Sequence, residues 1–301
     1  MSTAALYYRH SGRCTAPALF ATLAAGCLSA LVLGPIYAII VFYMPIVYVN
    51  VLLTIGLGAL LGVIIRKVAM AQHIRSLAMI LLIAAVTACV TIYASFVGWL
   101  LPVAGWSYFF FTPTDVLDVL DQVAEVGVWS LKGDTVKGTF LIIIWIGEAV
   151  TILGGTMYFA YEEIAKTPYC EHCSQWLPVK TMVGPFEKVA DAKALRADLE
   201  QGNFAALGAI KPLAPDAAAT EFSDYELTDC PTCPDMAVVS IRNVLLVADK
   251  EGKITPKINV IVNRLLIDHD SCELIKQLGP QPEAAAAVEP VDGEEKAPTE
   301  Q

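Results

Sequence analysis

The chain has 301 residues, 56% of them apolar and only 17% charged, with a formal net charge of −10. That apolar share lies above, and the charged share below, the values usual for a soluble domain, and the acidity argues against a nucleic-acid partner, which needs a basic face. No charged side chain occurs from Ala16 to Ile65 or from Ser76 to Thr114, and Glu148 alone interrupts the run between Lys137 and Glu162.

A helix needs about 20 apolar residues to cross a bilayer, and each of these stretches is long enough. The pattern predicts four spans: Pro17 to Ile40, Ile46 to Ile65, Leu77 to Leu101 and Thr139 to Tyr161. The first stretch runs far past the short apolar core of a signal peptide. It must break between the first two spans, and "FYMPIVYVN" is the expected place, because Pro45 lacks the backbone donor that a helix interior needs. Tyr37, Tyr43 and Tyr48 suit the headgroup belt. Arg9, Arg13, Arg66, Lys67 and Arg75 flank the spans on one side. The connection after the third span carries Asp115, Asp118, Asp121, Glu125 and Asp134. Because Lys and Arg are retained inside, both chain ends are expected in the cytosol and the acidic connection outside.

That connection holds its own amphipathic helix, near residues 113–126. Thr112 is the candidate N-cap, Pro113 lies in the first turn and Gly127 is the stop. Val116, Leu117, Leu120, Val123 and Ala124 fall on one face, which is expected to cap the outer ends of the spans; the alternative is an outward partner-binding helix. Within the spans, small residues recur every fourth position at Gly26, Ala30 and Gly34, at Gly58 and Gly62, and at Gly147, Thr151 and Gly155. This spacing lets helix backbones approach closely in lipid. Glu148 is the one ionisable group deep in a span. Burying it costs roughly 2.5–3.5 kcal/mol on insertion scales, so it should face the bundle interior, either as a neutral hydrogen-bonded acid or as a proton or cation site.

Beyond the last span stand two cysteine pairs, Cys170 with Cys173 and Cys230 with Cys233. A two-residue spacer lets both sulfurs of a tight turn face one metal ion, and two such turns complete a tetrahedral thiolate site. The gap between the pairs exceeds the usual 15–20 residues or so and must hold an inserted element. "FEKVADAKALRADLEQGN" predicts a helix ended by Gly202, "NFAALGA" a short turn, and "ATEFSDYELTD" a strand into Cys230. Two more strands follow, one with Val239, Ile241, Leu245 and Val247 on a face, the other with Ile258, Val260 and Val262, joined through "KEGK". Asp270 and Glu273 read as the capping box of a last helix ending near Gly279. The tail "PQPEAAAAVEPVDGEEKAPTEQ" has too few large apolar residues to bury a core and is expected to be disordered.

One structural zinc ion on the four cysteines is the expected cofactor, with thiol–disulfide exchange and a four-thiolate iron site as alternatives. His172, His269 and Cys272 are conceivable extra ligands better explained as turn and helix-start residues. Cys14, Cys27 and Cys89 read as packing residues, and Trp176 as a local core residue.

The fold class is therefore a membrane all-α four-helix bundle followed by a small α+β zinc-ribbon-like cytosolic domain. The expected order is a cytosolic N-terminal tail (1–16), the transmembrane domain (17–161), the cysteine-pair domain (162–278) and the acidic tail (279–301). The stretches "SGRCTAPALF", "YMPIVYVNVLLTIGLG", "VWSLKGDTVKG", "WIGEAV" and "PYCEHCSQW", in this order, resemble an uncharacterised family of bacterial multipass membrane proteins with a cytosolic cysteine-pair domain. The resemblance implies this architecture and a bacterial inner-membrane location, not an activity. No nucleophile with its base, glycine-rich phosphate loop or paired carboxylates stands out, so a non-enzymatic protein is expected. Its zinc-ribbon-like domain would bind a protein partner, while the spans anchor it in the bilayer, with self-association as a homo-oligomer left open. The alternatives are a small ion or proton channel or transporter centred on Glu148, and a membrane thiol–disulfide oxidoreductase.

Overall fold

The computed structural model describes residues 6–44, 46–127, 129–131, 134–213, 219–248 and 253–278. The expected break at Pro45, most of the "KEGK" turn and the tail from Gly279 lie outside these residues. The chain divides into two compact units, Arg9–Pro178 and a second made of Met1–Tyr8 with Val179–Gln301.

The first unit contains four helices long and apolar enough to cross a membrane: α1 (Ala16–Tyr43), α2 (Val47–Ala71), α3 (Leu77–Val103) and, after a shorter α4 (Pro113–Val126) and the hairpin β1 (Trp129–Leu131) and β2 (Asp134–Val136), α5 (Thr139–Lys166). Their burial is inverted relative to a soluble bundle. Phe20, Leu28, Leu52, Leu60, Leu82, Ile143 and Val150 are exposed, whereas Thr22, Gly26, Ala30, Gly62, Thr87 and Ala160 are buried. Small interior residues let backbones meet where lipid offers no hydrophobic drive between helices.

α1 runs along α3, and α2 along α5. At Gly98 a Cβ would lie 2.5 Å from Pro35 Cα, and at Gly62 one would lie 2.7 Å from both Thr156 O and Phe159 Cβ. A β-carbon fits neither place, so these two glycines set the two helix crossings. Gly147 has open space around its Cα and is not a packing point.

Local chemistry accounts for the helix ends. Thr15 caps α1 by accepting from Ala18 N. Thr112 caps α4 by accepting from Asp115 N, and Gly127, with φ +84°, ends it. α2 stops in a Schellman motif, with Ile74 N donating to Ala69 O and His73 N to Met70 O. His73 holds the left-handed position usual for glycine, with φ +53°.

Two expectations for this unit need correction. Tyr37 is buried inside the bundle, its hydroxyl 2.7 Å from Thr54 Oγ1, because a polar partner is available there; only Tyr43 and Tyr48 are exposed as a headgroup belt requires. On α4, Val116, Leu120 and Ala124 are buried, but Leu117 is exposed, since the covered stripe is narrower than the apolar face.

The second unit is built on a four-stranded antiparallel sheet of order β5-β6-β7-β8. Here β5 is Thr181–Phe186, β6 Glu221–Asp229, β7 Ala237–Ala248 and β8 Ile254–Ile267. α6 (Ala192–Glu200), a 3₁₀ turn (Phe204–Ala209) and α7 (His269–Leu278) complete a core with Phe186, Leu199, Leu207, Tyr225, Leu227, Ile241, Leu265 and Ile275. Phe186 and Tyr225 stack at 4.3 Å. The other face carries Arg242 bound to Asp224 (2.7 and 2.9 Å) and Glu226 (3.4 Å).

The predicted helix from Phe186 begins only at Ala192, capped by Asp191, because Phe186 ends a strand. Ile258 and Val260 are exposed while Ile261, Val262 and Leu265 are buried. Irregular pairing opposite Val239–Arg242 inserts extra residues in β8 and switches the inward parity. Leu245 is exposed for a similar reason: past the irregularity the covered part of the sheet ends. The cap of α7 is Asp268, which accepts from Ser271 N at 2.8 Å, rather than an Asp270–Glu273 box.

At the other end of the chain, Tyr7 bridges Leu265, and Tyr8 N donates to Arg264 O at 2.8 Å. The segment before α1 is thus tied to β8 by one isolated bridge and backbone hydrogen bonding.

Candidate metal centre

The first cysteine turn grows directly out of α5. Thr167 closes that helix by donating from Oγ1 to Glu163 O at 2.8 Å. A short hairpin follows, β3 (Tyr169–Cys170) paired with β4 (Gln175–Trp176), with Cys170 opposite Gln175. Ser174 takes a left-handed φ of +52° to turn the chain. Inside the hairpin, Cys173 N donates to Cys170 Sγ at 3.5 Å. A backbone N–H aimed at sulfur favours the anionic form that binds a metal.

The hairpin is fastened to its own unit at several points. Trp176 Nε1 donates to Met70 O at 2.9 Å. The Arg75 guanidinium lies 4.7 Å from the Tyr169 ring centre and pairs with Glu171. Tyr169 and Trp176 meet edge-to-face at 4.9 Å.

The second cysteine turn lies in the other unit, between β6 and β7. Cys230 N donates to Met236 O at 2.9 Å, closing the base of the loop. Cys230 Sγ lies 3.3 Å from Thr232 Oγ1. The turn is rigid by sequence, with Pro231 and Pro234 on either side of Thr232 and Cys233. In each pair the first cysteine is buried and the second half-buried.

Cys170, Cys173, Cys230 and Cys233 form a group close enough together to hold one metal ion. The donor set is all thiolate, which suits zinc or iron and not calcium or magnesium. His172 and His269 are exposed and outside this group. Cys272 is buried in the sheet core beside Ile275, and burial pushes its thiol pKa up. Cys89 is exposed on α3 rather than packed, whereas Cys14 lies against the bundle core.

Glu148 stands apart from the cysteines, in the span α5. It lines a cavity of about 590 Å³ with Tyr37, Asn50, Thr54, Trp99 and Trp145. Sequence reasoning singled out the acid but missed its surroundings. The signal available was Asn50, a lone amide within an apolar run, together with Trp99 and Trp145 on two different spans.

Compared with family models, curated proteins and solved structures, the chain finds no match. Four apolar helices and a four-cysteine group fit a membrane protein with a metal-binding site.

Proposed function

We propose that the chain is an integral membrane protein whose domain beyond the fourth span is stabilised by one structural zinc ion on Cys170, Cys173, Cys230 and Cys233, arranged as in a zinc ribbon, and that this domain docks a protein partner. The four-thiol group carries the reading. Four thiolates leave a tetrahedral ion no open position, so the metal would brace the fold rather than catalyse. Zinc, which takes four thiolates tetrahedrally and has no redox chemistry of its own, suits that bracing role.

Docking is supported by β8. Ile254, Ile258 and Val260 are exposed, and the β8 edge before Arg264, which no described strand pairs with, runs beside a notch of about 260 Å³ lined by Tyr7, Arg196, Val260 and Asn263. An exposed apolar strand edge is a template for an added strand, so the partner is read as an extended peptide segment. Arg66 and Lys67 in the last turns of α2, with Arg75 just after it, support a cytosolic location for the sheet domain and both chain ends, and the motif resemblance supports a bacterial inner membrane.

The test is elemental analysis of the full-length protein purified without chelator, with thiol counting. About one zinc per chain, lost in Cys230→Ser, is expected. Metal-free protein with a Cys–Cys bridge formed in intact cells would overturn the reading in favour of thiol exchange.

A further inference from the structure

The cavity around Glu148 is built where the C-terminal halves of α1 and α3 meet the N-terminal halves of α2 and α5. Its volume, about 590 Å³, lies within the range of small-molecule sites. Phe42, Phe96, Trp99 and Trp145 line it as a continuous aromatic set, with ring centres 6.2 Å (Phe42–Trp99), 6.5 Å (Trp99–Trp145) and 5.9 Å (Trp145–Phe96) apart, all edge-to-face.

The polar lining is sparse and one-sided. Thr54 Oγ1 donates to Asn50 O at 2.7 Å, so the Tyr37 hydroxyl, 2.7 Å from Thr54 Oγ1, donates to it. Ser95 Oγ donates to Gly34 O at 3.3 Å. Two acceptors remain. Asn50 Oδ1 is buried without a hydrogen-bond partner, and no hydrogen bond or ion pair among the described residues holds the Glu148 carboxylate. A buried acceptor left unmatched is costly, and a lone acid in a span more so.

We propose that this cavity is a binding site for a lipophilic organic cation, an aryl- or alkyl-substituted ammonium or phosphonium. Its charge would face Glu148 and its apolar groups would pack on the aromatic set. A bare metal ion is the poorer fit, since calcium takes six to eight oxygen ligands or so and two unmatched acceptors fall far short. A delocalised or quaternary cation carries little water to strip off, and indole faces attract it within about 6 Å. This inference is independent of the metal centre, so loss of zinc binding would leave it standing.

The experiment uses full-length protein in maltoside micelles and labelled tetraphenylphosphonium as the probe, with neutral triphenylphosphine oxide as competitor. Saturable binding near one per chain is expected, resisting the neutral competitor. Glu148→Gln should weaken it roughly tenfold or more, and Trp145→Leu should weaken it while leaving the acid in place. Glu148→Asp, which keeps the charge, should retain binding and controls for folding. Binding that is non-saturable, unchanged in Glu148→Gln, indifferent to Trp145→Leu or equally displaced by the neutral oxide would overturn the proposal; the last result would mark the cavity as an acyl-chain site.

Discussion

The indole N–H of Trp176 donates to the backbone carbonyl of Met70, 106 residues earlier in the chain. That carbonyl also accepts from His73 N in the motif ending α2. A helix end leaves its last carbonyls without intrahelical partners, and here one of them is used twice, once for the local turn and once to hold the first cysteine hairpin. Trp176→Phe keeps the ring against Tyr169 but removes the donor, and should cost about 1 kcal/mol. Trp176→Ala also removes the packing and should cost about 3–5 kcal/mol. Thermal melting in detergent, followed by size-exclusion recovery, reads both.

Under the zinc reading, the thiolates must be deprotonated to bind the ion, so metal retention depends on pH as well as on the ligands. Strong chelator at about pH 8 should release the ion and open the loops at Cys173 and Cys233 to alkylation, and acid at about pH 5 should release it as read by metal content. Mass-spectrometric mapping of the labelled cysteines checks this. Cys272 should stay unlabelled in the same sample, because it is buried in the sheet core and its raised pKa keeps the thiol protonated. A raised thiol pKa stabilises the fold below the unfolded value and loses that contribution as pH climbs through the folded value, so Cys272 should become reactive only above the ordinary thiol range or on unfolding.

Gly62 and Gly56 give a paired test of helix packing. A side chain at Gly62 runs into Thr156 O on α5, whereas nothing lies within 4 Å of a Cβ at Gly56. Gly62→Leu should separate α2 from α5 and lower the melting temperature sharply or abolish recovery. Gly56→Ala should be neutral or slightly stabilising, as alanine is the better helix former. Equal effects would show that the α2–α5 crossing is not set at Gly62.

In the sheet domain, Asn243 Nδ2 donates to Val189 O at 3.0 Å while its Oδ1 accepts from Ser223 Oγ at 2.6 Å and from Val189 N at 3.2 Å. All of this is buried. Asn243→Leu would leave the Val189 carbonyl and Ser223 hydroxyl without this partner, and should cost about 2–4 kcal/mol, more than a surface substitution by far. Proteolysis of the segment before α6, or chemical denaturation, measures it.

The docked N-terminal segment should respond to acid. Glu200 accepts from the Tyr7 hydroxyl at 2.6 Å and from Arg196 Nε at 2.8 Å; first the Tyr7 bond and then Arg196 hold its carboxyl below the usual carboxylate range. A depressed carboxyl pKa stabilises the fold above the unfolded value, about 4.3, and that contribution fades as pH falls through the folded value. Hydrogen exchange at Tyr8 N, which donates to Arg264 O, should therefore lose protection below about pH 4. Glu200→Gln should remove the step.

The four spans, α4 with its Thr112 cap and Gly127 stop, and the two cysteine turns were legible in sequence because each rests on local physics. Transfer of about 20 residues into lipid, a side-chain oxygen meeting the N–H three residues on, and two thiols separated by two residues need no distant partner. The rest depended on such partners. Phe186 lies in a helix-like string, but pairing with Ser223 makes it strand. Ile258 and Val260 alternate as buried residues should, yet irregular pairing with β7 turns them outward and Ile261 inward. Residues 6–8 carry no strand signal, and Tyr7 bridges Leu265 only because β8 offers it an edge. Glu148 announced itself as a lone acid in lipid, but the aromatic set and the unmatched Asn50 oxygen around it come from four different helices. Only their packing, fixed by close approaches at glycines such as Gly62 and Gly98, decided that they share one cavity.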